Sequence, residues 1–126
     1  MKIPRPWLHA ARIVDSILFY PALGVVVWGE IAPDPAPDLT QNANDKVLHF
    51  IAYFGLAWLA AAAVTRSADA VRAGLALILL GGLLEIVQGF TGRDMSVYDE
   101  LANTIGVLMG GFAARVMVES LRRRID

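Results

Sequence analysis

The stretch VLHFIAYFGLAWLAAAAVT, residues 47–65, decides the fold: it contains no Asp, Glu, Lys or Arg. As a helix rising about 1.5 Å per residue it covers roughly 28 Å, close to the hydrocarbon thickness of a bilayer. Working outward, residues 73–92 carry a single charge, Glu85. Residues 101–114 carry none, and that run extends upstream through Val97 and Tyr98 and downstream to Val118. Residues 13–29 form a fourth run, interrupted by Asp15 near its start and by Pro21, which membrane helices tolerate. The pattern predicts an all-α integral membrane four-helix bundle, one domain over 1–126, with helices near 13–31, 47–65, 71–91 and 97–118.

Composition agrees. Of 126 residues, 56% are hydrophobic and 18% charged, and the mean hydropathy is +0.53. Soluble domains are more polar than this. A net charge of −1 offers no broad basic surface, so no nucleic-acid partner is expected. The absence of cysteine excludes disulfides, thiolate metal sites and cysteine nucleophiles. Lys2, Arg5 and Arg12 ahead of an apolar run resemble a secretory signal. The run is longer than a typical signal core, however, and Pro33 directly follows the candidate cleavage site after Ala32, so a retained anchor helix is expected.

Orientation follows from the basic residues. Lys2, Arg5, Arg12, Arg66, Arg72, Arg115, Arg122, Arg123 and Arg124 fall on one side of the four spans; only Lys46 and Arg93 fall on the other. Lys and Arg concentrate in the cytoplasm, which predicts both termini inside and two external loops, 32–46 and 91–96. Trp7, Trp28, Tyr20 and Tyr98 read as interfacial anchors, and the Arg122–Arg124 run as a topology determinant.

The polar residues within the spans collect toward the external end. Asp45, His49 and Tyr53 repeat at i, i+4, i+8 along the second helix. Gly81, Glu85 and Gly89 repeat at i+4 on the third, with Gln88 three residues after Glu85. Asp99, Asn103, Gly106 and Gly110 step along one face of the fourth. His49, Glu85 and Asn103 are thereby predicted at similar shallow depth, roughly 6–9 Å inside the interface. Gly106 and Gly110 form a small-xxx-small packing face, so these stripes point into the bundle.

Each residue has a plainer reading. An intramembrane Glu85 is costly unless it faces protein or water, which favours function. On the plainer reading His49 only satisfies a carbonyl, although its stripe argues otherwise. Ser96-x-x-Asp99 has the spacing of a capping box, and Asp45 suits a first helical turn. Arg93 could meet any lipid phosphate, and Asn103 could simply link helices.

Taken together, Asp45-Lys46-x-x-His49-Phe50-x-x-Tyr53, Leu84-Glu85-x-x-Gln88, Gly92-Arg93 and Asp99-x-x-x-Asn103-x-x-Gly106 resemble the VanZ-like family of small bacterial membrane proteins. The likeness covers about half the chain, from Asp45 to Gly111. It implies four membrane helices and, for the founding member, low-level resistance to teicoplanin, a lipid-bearing glycopeptide. The first helix and its following loop carry no signature of the family.

Three functions compete. In the first, Asp45, Lys46, His49, Tyr53, Glu85, Gln88, Arg93, Asp99 and Asn103 line an outward-facing pocket for a lipid head group, a lipid-linked envelope precursor or a lipophilic antibiotic. Arg93 and Lys46 would then meet phosphate or carboxylate. In the second, the pocket is an active site, with Glu85 or Asp99 as acid or base, His49 as partner and Arg93 stabilising a developing anion. In the third, Glu85 exchanges protons in a small dimeric exporter of lipophilic cations. Lys46 and Arg93 at the same mouth count against that reading. No cofactor is expected; His49, Glu85, Asp45 and Asp99 are hard or borderline metal ligands, but with one suitable histidine and no dense ligand motif no metal is expected. A homo-oligomer is compatible with all three.

Overall fold

The computed structural model describes residues 2–32, 42–92 and 95–125, with the backbone alone for 42–44. Its described residues form four helices: α1, Arg5–Ile31; α2, Asn42–Ala63; α3, Ser67–Phe90; and α4, Val97–Arg122. Each is long and apolar enough to cross a membrane. The expected order is present, but α1 begins eight residues earlier than the apolar run and α4 ends four residues later. The physical reason is that hydropathy locates the apolar part of a helix, whereas backbone hydrogen bonding continues through its polar ends. Pro4 and Pro6 suit the start of α1, where an amide donor is not needed. Pro21 sits inside α1, and the helix continues through it.

α2 and α4 form the central pair. Gly106 and Gly110 bring α4 against the α2 backbone: a Cβ at Gly106 would stand 2.5 Å from the Phe50 carbonyl oxygen, and one at Gly110 would collide with the backbone of Phe54. The small-residue face is thus the helix–helix contact. Around it pack Tyr53, Leu56, Ala57, Leu77 and Val107. Farther along, Ala61, Ala62, Ala114 and Val118 make a second cluster, in which short side chains keep the helices close. α1 is peripheral. Phe19, Ala22, Leu23 and Val26 lean on the core, but its only buried residue is Glu30. Large apolar side chains cover the outward faces, among them Leu79, Leu83, Phe90, Leu108 and Phe112.

The two ends of the bundle differ in chemistry. At one end Ile3 N–H donates to the Arg124 carbonyl at 2.8 Å, so both described chain ends lie together. At this end α2 finishes with no basic residue of its own in the last turn. Arg115 reaches across instead, donating to the carbonyls of Ala61, Val64 and Thr65 at 3.2, 3.0 and 3.2 Å. Arg122 adds a 2.6 Å bond to Thr65 and Arg12 one of 3.4 Å to Ala63. Guanidinium groups therefore satisfy carbonyls that a helix terminus leaves open. Arg122 thus holds the α2–α3 turn in addition to whatever orientation signal it carries.

Candidate functional site

The opposite end is acidic. Among the described residues six polar or charged side chains are buried, Glu30, His49, Glu85, Gln88, Asp99 and Asn103, and all lie toward this end. They come from all four helices.

Asn103 is the linker. It is fully buried, its Oδ1 lies 2.8 Å from His49 Nδ1, and its Nδ2 donates to Glu100 Oε2 at 3.2 Å. The amide group must face Glu100 with its donor, which leaves Oδ1 as acceptor and assigns the His49 proton to Nδ1. His49 Nε2 then looks toward Asp45 Oδ1 at 3.5 Å and Asp99 Oδ2 at 3.8 Å. Glu30 Oε1 from α1 lies 3.7 Å from Nδ1. Lys46 Nζ pairs with Asp99 Oδ1 at 3.3 Å, its own side chain 44% exposed. The lysine expected to meet a ligand anion is thus engaged by a carboxylate, though it remains at the rim.

Glu85 occupies the third side. Its Oε1 accepts the Ser96 backbone N–H at 2.6 Å, and it lies within electrostatic reach of Asp99, His49 and Asp45. This corrects the capping reading. Ser96 is the N-cap of α4, but its side chain makes no cap bond, and the carboxylate that takes its N–H belongs to α3 instead of to Asp99. Asp99 is released to face His49. Glu85 Oε2 and Gln88 Nε2 are buried without a hydrogen-bond partner among the described residues. Tyr53, also fully buried, stands beside Glu30.

Gly81 makes room for this network. A Cβ there would fall 2.7 Å from Glu100 Oε2 and 3.0 Å from Asn103 Nδ2. α3 therefore buries Leu77, Gly81, Leu84, Glu85 and Gln88 as one stripe, whereas Gly89, expected on it, is exposed. α3 ends at Phe90, and Gly92 with φ 83° supplies the left-handed turn that follows. Of the anchors, Trp7, Trp28 and Tyr98 are exposed near helix ends, but Tyr20 sits near the middle of α1 and does not suit an interface.

Among the sequence candidates, Asp45, Lys46, His49, Tyr53, Glu85, Gln88, Asp99 and Asn103 all lie at this end. Arg93 lies outside the described residues. Two residues of the site carried no signal in their spacing. Glu30 closes the first apolar run, where a charge looks like an ordinary helix terminus, and Glu100 sits beside Asp99, which drew the attention. Among the described residues this end holds five carboxylates (Glu30, Asp45, Glu85, Asp99 and Glu100) against Lys46 and His49. The segments that adjoin it do not reverse the sign, because Arg93 is matched by Asp94, and 33–41 adds Asp34 and Asp38. Asp45, His49 and Asp99 each offer a ligand atom, all within 4.8 Å of one another. No family model, curated protein or solved structure matches the chain.

Proposed function

We propose that the chain is a VanZ-like protein of the bacterial cytoplasmic membrane, with both termini in the cytoplasm, that binds a membrane-anchored envelope ligand at its acidic end. The ligand class is a lipid head group, a lipid-linked cell-wall precursor or a lipophilic glycopeptide. One observation carries the reading: among the described residues, the buried polar side chains come from all four apolar helices and gather at one end. Buried charge is costly without partners, and intramembrane ionisable groups mark ligand paths more often than scaffold. Gln88 Nε2 and Glu85 Oε2 supply a donor and an acceptor three residues apart on one helix face. A sugar hydroxyl, which both donates and accepts, matches that pair. Lys46 at the rim suits the anionic part of such a ligand, as does Arg93 by its place in the sequence between α3 and α4.

A second reading, an intramembrane enzyme, is favoured by His49. Its ring is oriented through Nδ1 by Asn103 while Nε2 faces carboxylates, the way a general base is held. The exporter reading gains least, since Glu85, its proton exchanger, already accepts the Ser96 backbone N–H through Oε1.

The test is teicoplanin susceptibility of a sensitive bacterium expressing wild type, Glu85→Gln or Arg93→Ala at matched membrane levels, paired with lipid analysis of each purified protein. Protection by wild type alone supports a glycopeptide-linked role. If no form protects, but wild type carries an envelope lipid that Glu85→Gln lacks, the ligand is that lipid. Identical lipid content in all three, with no protection, sinks the binding reading.

A further inference from the structure

We infer that the acidic end is a divalent metal site, with His49 Nε2, Asp45 Oδ1 and Asp99 Oδ2 as its three protein ligands. The inference deepens the proposed function, resting on the reading that this end is a ligand site, and it departs from the sequence expectation of no metal.

The first support is geometric. Zinc binds imidazole nitrogen and carboxylate oxygen at about 2.0–2.2 Å, so neighbouring ligand atoms of a tetrahedral site stand roughly 3.3–3.6 Å apart. His49 Nε2 is 3.5 Å from Asp45 Oδ1 and 3.8 Å from Asp99 Oδ2, and all three atoms fit within 4.8 Å. Drawing them onto one ion shortens the His49–Asp99 edge by a few tenths of an ångström and the Asp45–Asp99 edge by up to about 1 Å.

The second is the orientation of the ring. Metal-bound histidines donate their other N–H to a carbonyl or carboxylate, which fixes the tautomer. Here Nδ1 is held by Asn103 Oδ1, whose amide is itself fixed by Glu100. A neutral imidazole so placed turns its Nε2 lone pair toward two carboxylates, an arrangement that a cation between them stabilises. Lys46 takes the other oxygen of Asp99, leaving Oδ2 for the ion.

The third support is independent of these ligands. Glu85 is 4% exposed, its Oε2 has no hydrogen-bond partner among the described residues, and it lies within electrostatic reach of all three ligands. A carboxyl oxygen left without a partner at the same end is an open acceptor for a water or a ligand hydroxyl carried by such an ion. A one-nitrogen, two-oxygen set is borderline in softness, which suits Zn²⁺, Mn²⁺ or Fe²⁺ over Cu⁺. Three protein ligands leave a fourth position for water or an oxygen of the bound head group. The site thereby gives an anionic ligand a positive charge to meet in an end that is otherwise acidic.

The experiment uses the whole chain in detergent, stripped with chelator and titrated with Zn²⁺ alone by calorimetry. Wild type is expected to bind about one ion per chain and to gain thermal stability on doing so. Asp99→Asn and His49→Gln should weaken binding at least about tenfold, the scale on which disturbing even the surroundings of a metal affects affinity. Asp69→Asn, at the other end, should leave it unchanged. Loading His49→Cys with Co²⁺ should add a thiolate-to-cobalt charge-transfer band that wild type lacks. Folded wild type that takes up no zinc overturns the inference, as does equal uptake by Asp99→Asn and His49→Gln. Either result leaves the lipid comparison with Glu85→Gln to judge the binding reading separately.

Discussion

Asn103 ties two parts of the polar end together, because it serves His49 and Glu100 at once. Asn103→Leu should lower stability by about 1–3 kcal/mol, the cost of leaving a buried polar partner unsatisfied, with Asn103→Gln losing nearly as much through misplacement. Thermal unfolding in detergent checks both. Glu85 separates two roles: Glu85→Gln keeps an acceptor for the Ser96 N–H and should unfold within about 1 kcal/mol of wild type, whereas Glu85→Leu abandons that N–H and should cost about 1–3 kcal/mol. At this scale the sequence was informative where a polar residue interrupts an apolar run. His49, Glu85 and Asn103 stand out for that reason. Glu30 and Glu100 did not, since a charge at a span end is what any helix terminus displays. Spacing also misassigned the acceptor for Ser96: a motif counts residues along one helix, and the carboxylate that arrives belongs to another.

Among the elements, the α2–α4 contact has the least tolerance. Gly110→Leu places a branched side chain where the Phe54 backbone already stands, and should cost at least about 1–3 kcal/mol or separate the helices. Gly111→Leu, with open space at its Cβ, should be tolerated. Comparing the expression and unfolding of the two variants isolates the packing effect from the change in helix propensity. The pairing face was legible because glycines four apart beside polar residues have few other uses in an apolar helix. Helix boundaries were less so: the eight residues before Ile13 belong to α1, yet their charges remove them from any hydropathy window. The metal ligands show the same limit. Asp45 and His49 are one turn apart on α2, but Asp99 is reached only through the α2–α4 contact.

The molecule as a whole is polarised along its length, with arginines clamping the α2–α3 turn at one end and carboxylates gathered at the other. Inserted with its basic end in the cytoplasm, a chain without cysteine gives a clean labelling test. Ala32→Cys and Thr91→Cys should react with a membrane-impermeant maleimide applied to whole cells, and Ala68→Cys only after permeabilisation. The opposite pattern overturns the proposed orientation. Loss of the clamp should be felt at the same scale: Arg115→Ala leaves the Ala61 and Val64 carbonyls without a guanidinium, while Thr65 keeps Arg122, and should lower stability by about 1–3 kcal/mol, with cleavage by added protease at the α2–α3 turn as the readout. The direction of polarity was legible from charge counting alone; the clamp was not, because three of its contacts are to backbone carbonyls, which no side-chain pattern displays.

The hydrogen bond from Ile3 to Arg124 has a use of its own. A chain in which the segment before α1 bonds the segment after α4 is in effect a closed ring of helices. Halves of a split fluorescent protein fused through short linkers to the two ends would find each other within a single molecule. Their brightness per copy would then gauge assembly inside living cells, without purification and without knowledge of any ligand, and a variant that frees α1 would dim in proportion.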